Sequence, residues 1–146
     1  MKKCVGCMYA QQRLKDGDRY TQKDAVFECT IRRGDNPDHR LVGCMDMDNG
    51  TIIERKLGCQ WIRGQPPYQY VMQCVKDANR PGVFKKAVHC FYRMGNGGFE
   101  VKPGCFRTDG QSLIMACQMD HNGAMKLETY SLSQLKNVYM KGLRFC

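Results

Sequence analysis

The sequence has no long apolar run and therefore no candidate membrane span. A membrane-spanning helix needs roughly 20 consecutive apolar residues, and no stretch approaches that length; the mean hydropathy of -0.54 agrees. The N-terminal segment, residues 1–7, is positively charged but lacks the apolar core of a signal peptide. We therefore interpret the chain as the mature or excised part of a longer product, without a membrane span.

Recognisable catalytic motifs are also missing. The three histidines, His39, His89 and His121, are scattered along the chain and stand in no nucleophile or metal-binding motif. His89 lies inside an apolar run beside Cys90, which is typical of a strand residue whose hydrogen bonds are satisfied within the fold. We expect no enzymatic activity, no metal and no cofactor.

Acidic residues are few relative to basic ones. The chain has 23 Lys and Arg against 14 Asp and Glu, a formal net charge of +9. This balance favours acidic partners such as sulfated glycans, anionic membrane surfaces or nucleic acid. The basic residues that we expect to bind a polyanion lie in or next to predicted turns and strand ends: Arg55, Lys56, Lys85 and Lys86.

Aromatic residues lie among these cations and raise the question of nucleic acid. Trp61, Tyr68, Tyr70 and Phe84 could stack bases of a single strand beside the basic residues. A solvated basic surface above packed aromatic side chains is the commoner arrangement. Nucleic acid is therefore not the partner that we expect; acidic glycans and proteins of the matrix or cell surface are.

Cysteine is the residue that the sequence has in excess, with ten in 146 residues. Small modules bury too little surface to offset chain entropy, and each disulfide stabilises them by roughly 2–4 kcal/mol. Such bridges persist in oxidising compartments. We therefore predict a secreted, extracellular protein in which all the cysteines form disulfides: Cys4, Cys7, Cys29, Cys44, Cys59, Cys74, Cys90, Cys105, Cys117 and Cys146.

The pair Cys4 and Cys7 forms a CxxC motif, which in a cytosolic protein is half of a zinc site or a redox pair. A zinc site needs two further ligands at short spacing, but the chain has no second CxxC. Two alternatives to the matrix protein remain open. One is an intracellular, cysteine-rich basic protein that binds zinc and nucleic acid, and the other is a secreted defence or toxin-like protein.

Short apolar runs between turns predict an all-β fold of small antiparallel modules. The runs at 25–27, 51–53, 68–72 and 86–92 carry aromatic or β-branched residues and are separated by Gly, Pro, Asn and Asp. The exception is the segment 131–141, where Leu132, Leu135, Val138 and Tyr139 recur at helical spacing before Gly142. This pattern predicts one short C-terminal helix.

The cysteine spacing indicates an internal repeat. From Cys29 to Cys105 every gap between cysteines is 15 or 16 residues. An offset of 61 residues superposes Cys29 and Cys44 on Cys90 and Cys105, together with neighbouring Arg and Gly residues. We therefore expect two tandem modules, residues 1–58 and 59–125, followed by a C-terminal segment, 126–146.

The motifs within these copies resemble one family. Phe27-Glu28-Cys29, Val42-Gly43-Cys44 and Asn49-Gly50-Thr51 carry the pattern in the first copy, and Val88-His89-Cys90, Pro103-Gly104-Cys105 and Asp109-Gly110-Gln111 carry it in the second. The sequence resembles the fibronectin type I-like repeats of the nematode abnormal cell migration proteins. The resemblance implies compact disulfide-bonded modules in secreted matrix proteins that influence cell migration.

Arg33-Gly34-Asp35 is an RGD tripeptide in a turn-rich loop. In an adhesive protein, its guanidinium and carboxylate would bridge an acidic pocket and a bound metal ion of a receptor. The same three residues also make an ordinary loop, so adhesion is a hypothesis.

Asn49-Gly50-Thr51 matches the acceptor sequence for N-glycosylation. Modification at Asn49 requires an exposed loop in a secreted chain, and a bare turn would have the same sequence. We expect a glycoprotein if the secreted interpretation holds.

Overall fold

The computed structural model describes residues 7–9, 12–31, 37–76 and 82–146, with side chains from Arg13 onwards. The chain forms two compact units, the first of Met1–Cys59 with Cys74–Lys85 and the second of Gln60–Gln73 with Lys86–Cys146. Antiparallel sheets dominate, which confirms the predicted all-β class. None of the helices in these described ranges has the length and apolar character needed to cross a membrane.

The first sheet lies in the first unit and follows a two-stranded hairpin, β1 (Cys7–Tyr9) and β2 (Gln12–Leu14). Its strands are β3 (Arg19–Gln22), β4 (Ala25–Thr30), β5 (Asp38–Asp48) and β6 (Thr51–Lys56), in the order β3-β4-β5-β6. Asn49 and Gly50 form the turn between β5 and β6 with φ of 49° and 80°. Positive φ at both turn residues matches the right-handed twist of the hairpin.

The second sheet has the order β10-β9-β8-β7. Its strands are β7 (Gln60–Arg63), β8 (Tyr68–Lys76), β9 (Val83–Met94) and β10 (Gly97–Val101). Along β8, Gln69 and Val71 are buried while Tyr68 is exposed. This alternation is what a strand with one covered face requires, because successive side chains point to opposite faces.

The third sheet has the order β13-β12-β11-β14. Its strands are β11 (Cys105–Thr108), β12 (Leu113–Met119), β13 (Met125–Ser131) and β14 (Arg144–Phe145), of which β14 runs parallel to β11. A 3-10 turn, Leu132–Gln134, and helix α1, Leu135–Met140, connect β13 to β14. The helix buries Val138 in a cluster that contains Phe106 and Ile114, and the predicted C-terminal helix is confirmed.

One turn occurs three times, each time before the first strand of a sheet: Lys15-Asp16-Gly17-Asp18, Lys56-Leu57-Gly58-Cys59 and Lys102-Pro103-Gly104-Cys105. In each copy the lysine carbonyl accepts a hydrogen bond of 3.0–3.1 Å from the N–H of the fourth residue. The glycine has a φ of 82–86° and donates its N–H to a cysteine carbonyl of the following sheet at 2.8 Å. The turn thus fixes the start of each sheet in the same way.

The recurring turn defines a repeat of a hairpin followed by three strands. The hairpins β1-β2, β5-β6 and β9-β10 precede the three turns, and the three-stranded groups that follow begin at β3, β7 and β11. The long strands β5 and β9 each end one group and begin the next hairpin. Cys44 and Cys90 take equivalent places in this repeat, whereas the 61-residue offset superposes Cys29 on Cys90. The predicted module limits stay a prediction.

Three disulfides have both cysteines among the described side chains: Cys44–Cys74 in the first unit, and Cys90–Cys117 and Cys105–Cys146 in the second. Cys29 is also disulfide-bonded. The Cys90–Cys117 bridge lies within the apolar cluster that includes Val101, Met115 and Leu127. Because this cluster is small, the bridge is part of the core as well as a constraint on the unfolded chain.

Cys59 departs from the prediction that every cysteine is bridged. Its thiol is free and exposed. The physical reason is that each other cysteine with a described side chain is already bonded, so none of them remains for Cys59. The side chains of Cys4 and Cys7 lie outside the described residues.

Candidate anion-binding groove

A row of charged side chains crosses the first sheet. Arg19 of β3 lies opposite Glu28 of β4, and Glu28 lies opposite Arg40 of β5. Directly opposite residues of antiparallel strands have neighbouring Cβ atoms, so cross-strand charges of opposite sign attract. The row therefore alternates positive, negative and positive across three strands.

A β-bulge places Arg40 in this row. Val26 lies opposite Gly43, but the next residue, Phe27, lies opposite Leu41. One residue of β5, Val42, is thus extra in the ladder, and every pairing after it is shifted by one position. Without the shift, Glu28 would face Leu41 instead of Arg40.

Arg19 is held by two carboxylates. Its Nη2 lies 3.2 Å from Oε2 of Glu28, and its Nη1 bonds to Oε2 of Glu54 on β6. The hydrogen bond that Arg19 donates to Glu54, followed by the charge of Glu54 and then the contacts with Glu28, raises the pKa of Arg19 above its ordinary value. Arg19 is therefore a fixed cation whose charge is offset by its neighbours.

These residues line a shallow groove of about 290 Å³ in the first unit. Its charged residues are three cations and two anions, which gives a formal net charge of +1: Arg19, Arg40, Lys56, Glu28 and Glu54. Leu41, Val42 and Leu57 complete the lining. Both glutamates are engaged by Arg19, while Arg40 and Lys56 make no ion pair with the side chains that the structure describes. These two cations can therefore meet an external anion.

Two of the four cations that the sequence predicts as a polyanion site share one carboxylate. Arg55 Nε lies 3.1 Å from Oδ2 of Asp46, and Lys85 Nζ lies 3.7 Å from Oδ1 of the same carboxylate. Asp46 is buried, with 6% of its surface exposed, and its charge offsets both cations. Lys86 is exposed on β9 and belongs to the second unit. Among the four, Lys56 alone lines the groove.

The remaining predicted positions have different outcomes. Asn49 is exposed at the tip of the β5–β6 hairpin, as a glycosylation site requires. The RGD tripeptide, residues 33–35, lies outside the described residues. Adhesion and glycosylation both stay predictions.

Two of the three histidines are engaged locally rather than in a shared site. His39 Nδ1 bonds to the hydroxyl of Tyr20, and His89 Nδ1 bonds to Oε1 of Glu100. Within the described ranges, no group of three or more His, Cys, Asp or Glu side chains is arranged to hold a metal ion. The alternative of a zinc-binding protein therefore gains no support.

Arg19 and the two glutamates of the groove carry no sequence motif that predicts them as site residues. These residues are brought together only by the pairing between strands, and that pairing depends on the bulge beside Val26. Arg40 precedes Leu41 in an ordinary polar stretch and carries no motif. Local sequence patterns therefore could not have found this site.

The antiparallel sheets, short connections and buried disulfides define a small disulfide-stabilised β protein. A family model described as fibronectin type I domain matches residues 1–37, which supports a fibronectin type I-like domain in this part of the chain. No curated protein and no solved structure matches the sequence. The domain match and the disulfides are consistent with an extracellular protein of the matrix type.

Proposed function

We propose that the protein is a secreted extracellular matrix-type binding protein whose groove holds the sulfate or carboxylate groups of acidic glycans. The observation that carries this proposal is the pair Arg40 and Lys56, which face the groove without a described carboxylate partner. Arg19 stands beside them as a cation fixed by two glutamates. The fibronectin type I match and the disulfides support an extracellular setting.

The two cations recognise an anion in different ways. A guanidinium has a planar fork of donors that matches two oxygens of a sulfate or carboxylate, whereas an ammonium acts as a compact point charge. Arg40 would therefore orient one acidic group, and Lys56 would add attraction with little directional demand. Glu28 and Glu54 repel a continuous line of anions, so the groove favours a chain on which acidic groups are spaced.

Salt should weaken this binding steeply. Attraction between exposed charges is screened within roughly 8–10 Å at physiological ionic strength. The proposed test is retention of the folded, oxidised protein on immobilised heparin, followed by elution with a salt gradient. Arg40→Gln with Lys56→Gln should weaken binding about tenfold, since two exposed ion pairs are removed.

A matched double variant separates the groove from the overall charge. Lys102 and Lys136 are exposed in the second unit and lie outside the groove. Lys102→Gln with Lys136→Gln removes the same two charges, and heparin affinity should then fall far less than in the groove variant. If the two double variants eluted at the same salt concentration, binding would follow net charge and the groove would not be the site.

The proposed biological setting is the matrix on which cells migrate. It rests on the resemblance to the fibronectin type I-like repeats of the nematode abnormal cell migration proteins. Cells should migrate at a different speed on surfaces coated with the wild-type protein than on surfaces coated with the groove variant. Equal speeds on both surfaces would separate glycan binding from any role in migration.

A further inference from the structure

Helix α1 and strand β14 present an exposed apolar patch, which consists of Tyr139, Met140 and Phe145. Their exposed fractions are 53%, 76% and 62%. The rings of Tyr139 and Phe145 both pack against the ring of Phe106, with centroids 5.1 Å and 5.6 Å from it. Phe106 is only 2% exposed. The two outer rings therefore cover the core while much of each ring still faces solvent.

The backbone that carries the exposed apolar patch is fixed at both of its elements. Cys146, directly after Phe145, is bonded to Cys105, and its N–H donates to the carbonyl of Phe106 at 3.2 Å. Val138, directly before Tyr139, is buried in the cluster that contains Phe106. The apolar side chains are thus held at the surface by a disulfide and by core packing.

Cations accompany the exposed apolar patch, and carboxylates do not. Residues 129–146 contain no Asp or Glu and three cations, which are Lys136, Lys141 and Arg144. Lys136 precedes Tyr139 by three positions and Met140 by four, so the three side chains are neighbours on the helix surface. Lys136 is exposed and makes no ion pair with any side chain that the structure describes.

The polar row next to the helix adds further positive charge. Lys141 Nζ donates to the hydroxyl of Tyr130 at 2.8 Å and lies 5.0 Å from the centre of its ring. The same hydroxyl donates to Glu128, whose carboxylate is paired with Lys126 at 2.8 Å. Two lysines therefore flank one glutamate, and the row keeps a net positive charge.

This combination matches what a membrane surface requires. Apolar side chains enter the boundary of the acyl chains, and cations attract anionic headgroups. Backbone groups that enter this boundary must be paired within the protein. At the exposed apolar patch, the N–H groups of Lys141 and Gly142 donate to the carbonyls of Asn137 and Tyr139 at 3.3 Å and 3.0 Å. A tyrosine suits such a boundary because its ring is apolar and its hydroxyl is polar.

We propose that the exposed apolar patch docks the protein on membranes that present anionic lipid. Met140 and Phe145 enter the boundary of the acyl chains, and Lys136 faces the headgroups. The docking is reversible, because a few apolar side chains bind far more weakly than a spanning helix. This activity is separate from glycan binding by the groove and does not rest on it.

Sedimentation with sucrose-loaded vesicles tests the proposal on the full-length, oxidised protein. The wild type should bind vesicles of phosphatidylcholine with about 30% phosphatidylserine more tightly than vesicles of phosphatidylcholine alone. Met140→Gln with Phe145→Gln should weaken binding to the anionic vesicles about tenfold, since two apolar side chains no longer leave water. Lys136→Gln should weaken it about fivefold, the effect of one lysine near an anionic surface.

A matched double variant separates insertion from diffuse attraction. Met94 and Met119 are exposed in the same unit and lie outside the exposed apolar patch. Met94→Gln with Met119→Gln should bind the anionic vesicles about as well as the wild type does. Urea unfolding checks that each variant is folded. Met140→Gln alone, which changes no contact with Phe106, should still weaken binding about threefold.

Three results would overturn the proposal. The first is a wild type that does not bind the anionic vesicles, and the second is equal binding by the two double variants. The third is a dimer in sedimentation velocity that Met140→Gln with Phe145→Gln abolishes, because the exposed apolar patch would then join two copies of the chain. Heparin elution should be the same for this variant and the wild type, since no charge changes, so glycan binding by the groove is judged independently.

Discussion

Gly104 donates its backbone N–H to the carbonyl of Cys117 across 2.8 Å. The same bond joins Gly17 to Cys29 and Gly58 to Cys74. Each of these cysteines lies on the second strand of its three-stranded group and is itself disulfide-bonded. The turn and the disulfide therefore anchor the same strand, one through the backbone and the other through the side chain.

Gly104→Ala should destabilise the second unit by about 1–2 kcal/mol, the usual cost of left-handed backbone for a residue with a Cβ. The φ of Gly104 is 82° and a Cβ would meet nothing within 4 Å, so the cost is conformational rather than steric. Urea unfolding measures this loss of stability. Gly97→Ala is the control, because Gly97 has the same open space without the left-handed φ. Similar losses in both variants would contradict this explanation of the turn.

Asp109 should make the stability of the second unit depend on pH. Its Oδ1 accepts backbone hydrogen bonds from Gln111, Ser112 and Leu113 at 2.9–3.1 Å. These bonds, that of Gln111 foremost, lower the pKa of Asp109 below 3.8. Because the folded pKa lies below the unfolded one, the contribution is present above the unfolded pKa and is lost as pH falls through the folded one.

The variant Asp109→Asn tests this dependence. It should be less stable than the wild type at about pH 6, and the difference should shrink at an acidic pH below the lowered folded pKa of Asp109, where the wild-type side chain is uncharged too. Urea unfolding at the two pH values measures the difference. A gap that stays constant between them would show that the charge of Asp109 does not contribute.

Asp46→Asn should strengthen heparin binding while it weakens the fold. The carboxylate of Asp46 offsets Arg55 and Lys85, so its removal raises the positive potential on that side of the first unit. The loss of charge-assisted bonds in a buried position should cost about 1–3 kcal/mol. Salt elution and urea unfolding measure the two effects.

The control for Asp46 is Asp24→Asn, which makes the same change of charge at an exposed position. Its stability should stay close to that of the wild type. Unchanged stability in Asp46→Asn as well would mean that the buried carboxylate has no structural role.

Asn49 should carry a glycan when the protein is made in mammalian secretory cells. The residue is exposed at a two-residue hairpin tip, and Thr51 begins β6 two positions later. Asn49→Gln and Thr51→Ala should both abolish the mass that an N-glycosidase removes, whereas Thr51→Ser should keep it. A wild-type protein without any such mass would exclude glycosylation at this turn.

The fold class and the helix could be predicted because their signals are local. Tyr68 to Met72 lies in β8, and Leu135 and Val138 lie on the predicted helix. The cysteine spacing predicted two modules, whereas the threefold repeat is visible only in the recurring turn. In the first turn, Asp18 stands where the other two turns have a cysteine. The three copies are therefore aligned by their lysine and glycine residues, and not by their cysteines: Lys15 and Gly17, Lys56 and Gly58, Lys102 and Gly104.

The groove could not be predicted because its geometry depends on pairing between strands. The bulge after Val26 brings Arg40 opposite Glu28, and a one-residue change of register would replace it by a leucine. The basic positions chosen from the sequence include Arg55 and Lys85, which instead flank the buried Asp46. Charge and turn proximity indicate exposure, but they do not reveal which carboxylate a cation faces.

The positions of the disulfides limit how far the protein can be stretched. The bridges Cys44–Cys74, Cys90–Cys117 and Cys105–Cys146 shorten the path that tension follows through the chain. At the usual reach of about 3.5 Å per extended residue, the oxidised segment from Cys44 to Cys146 extends to only about a third of its reduced length. Under tension, such a segment would behave as a short, stiff tether. Reduction of its disulfides would allow it to extend to its full length.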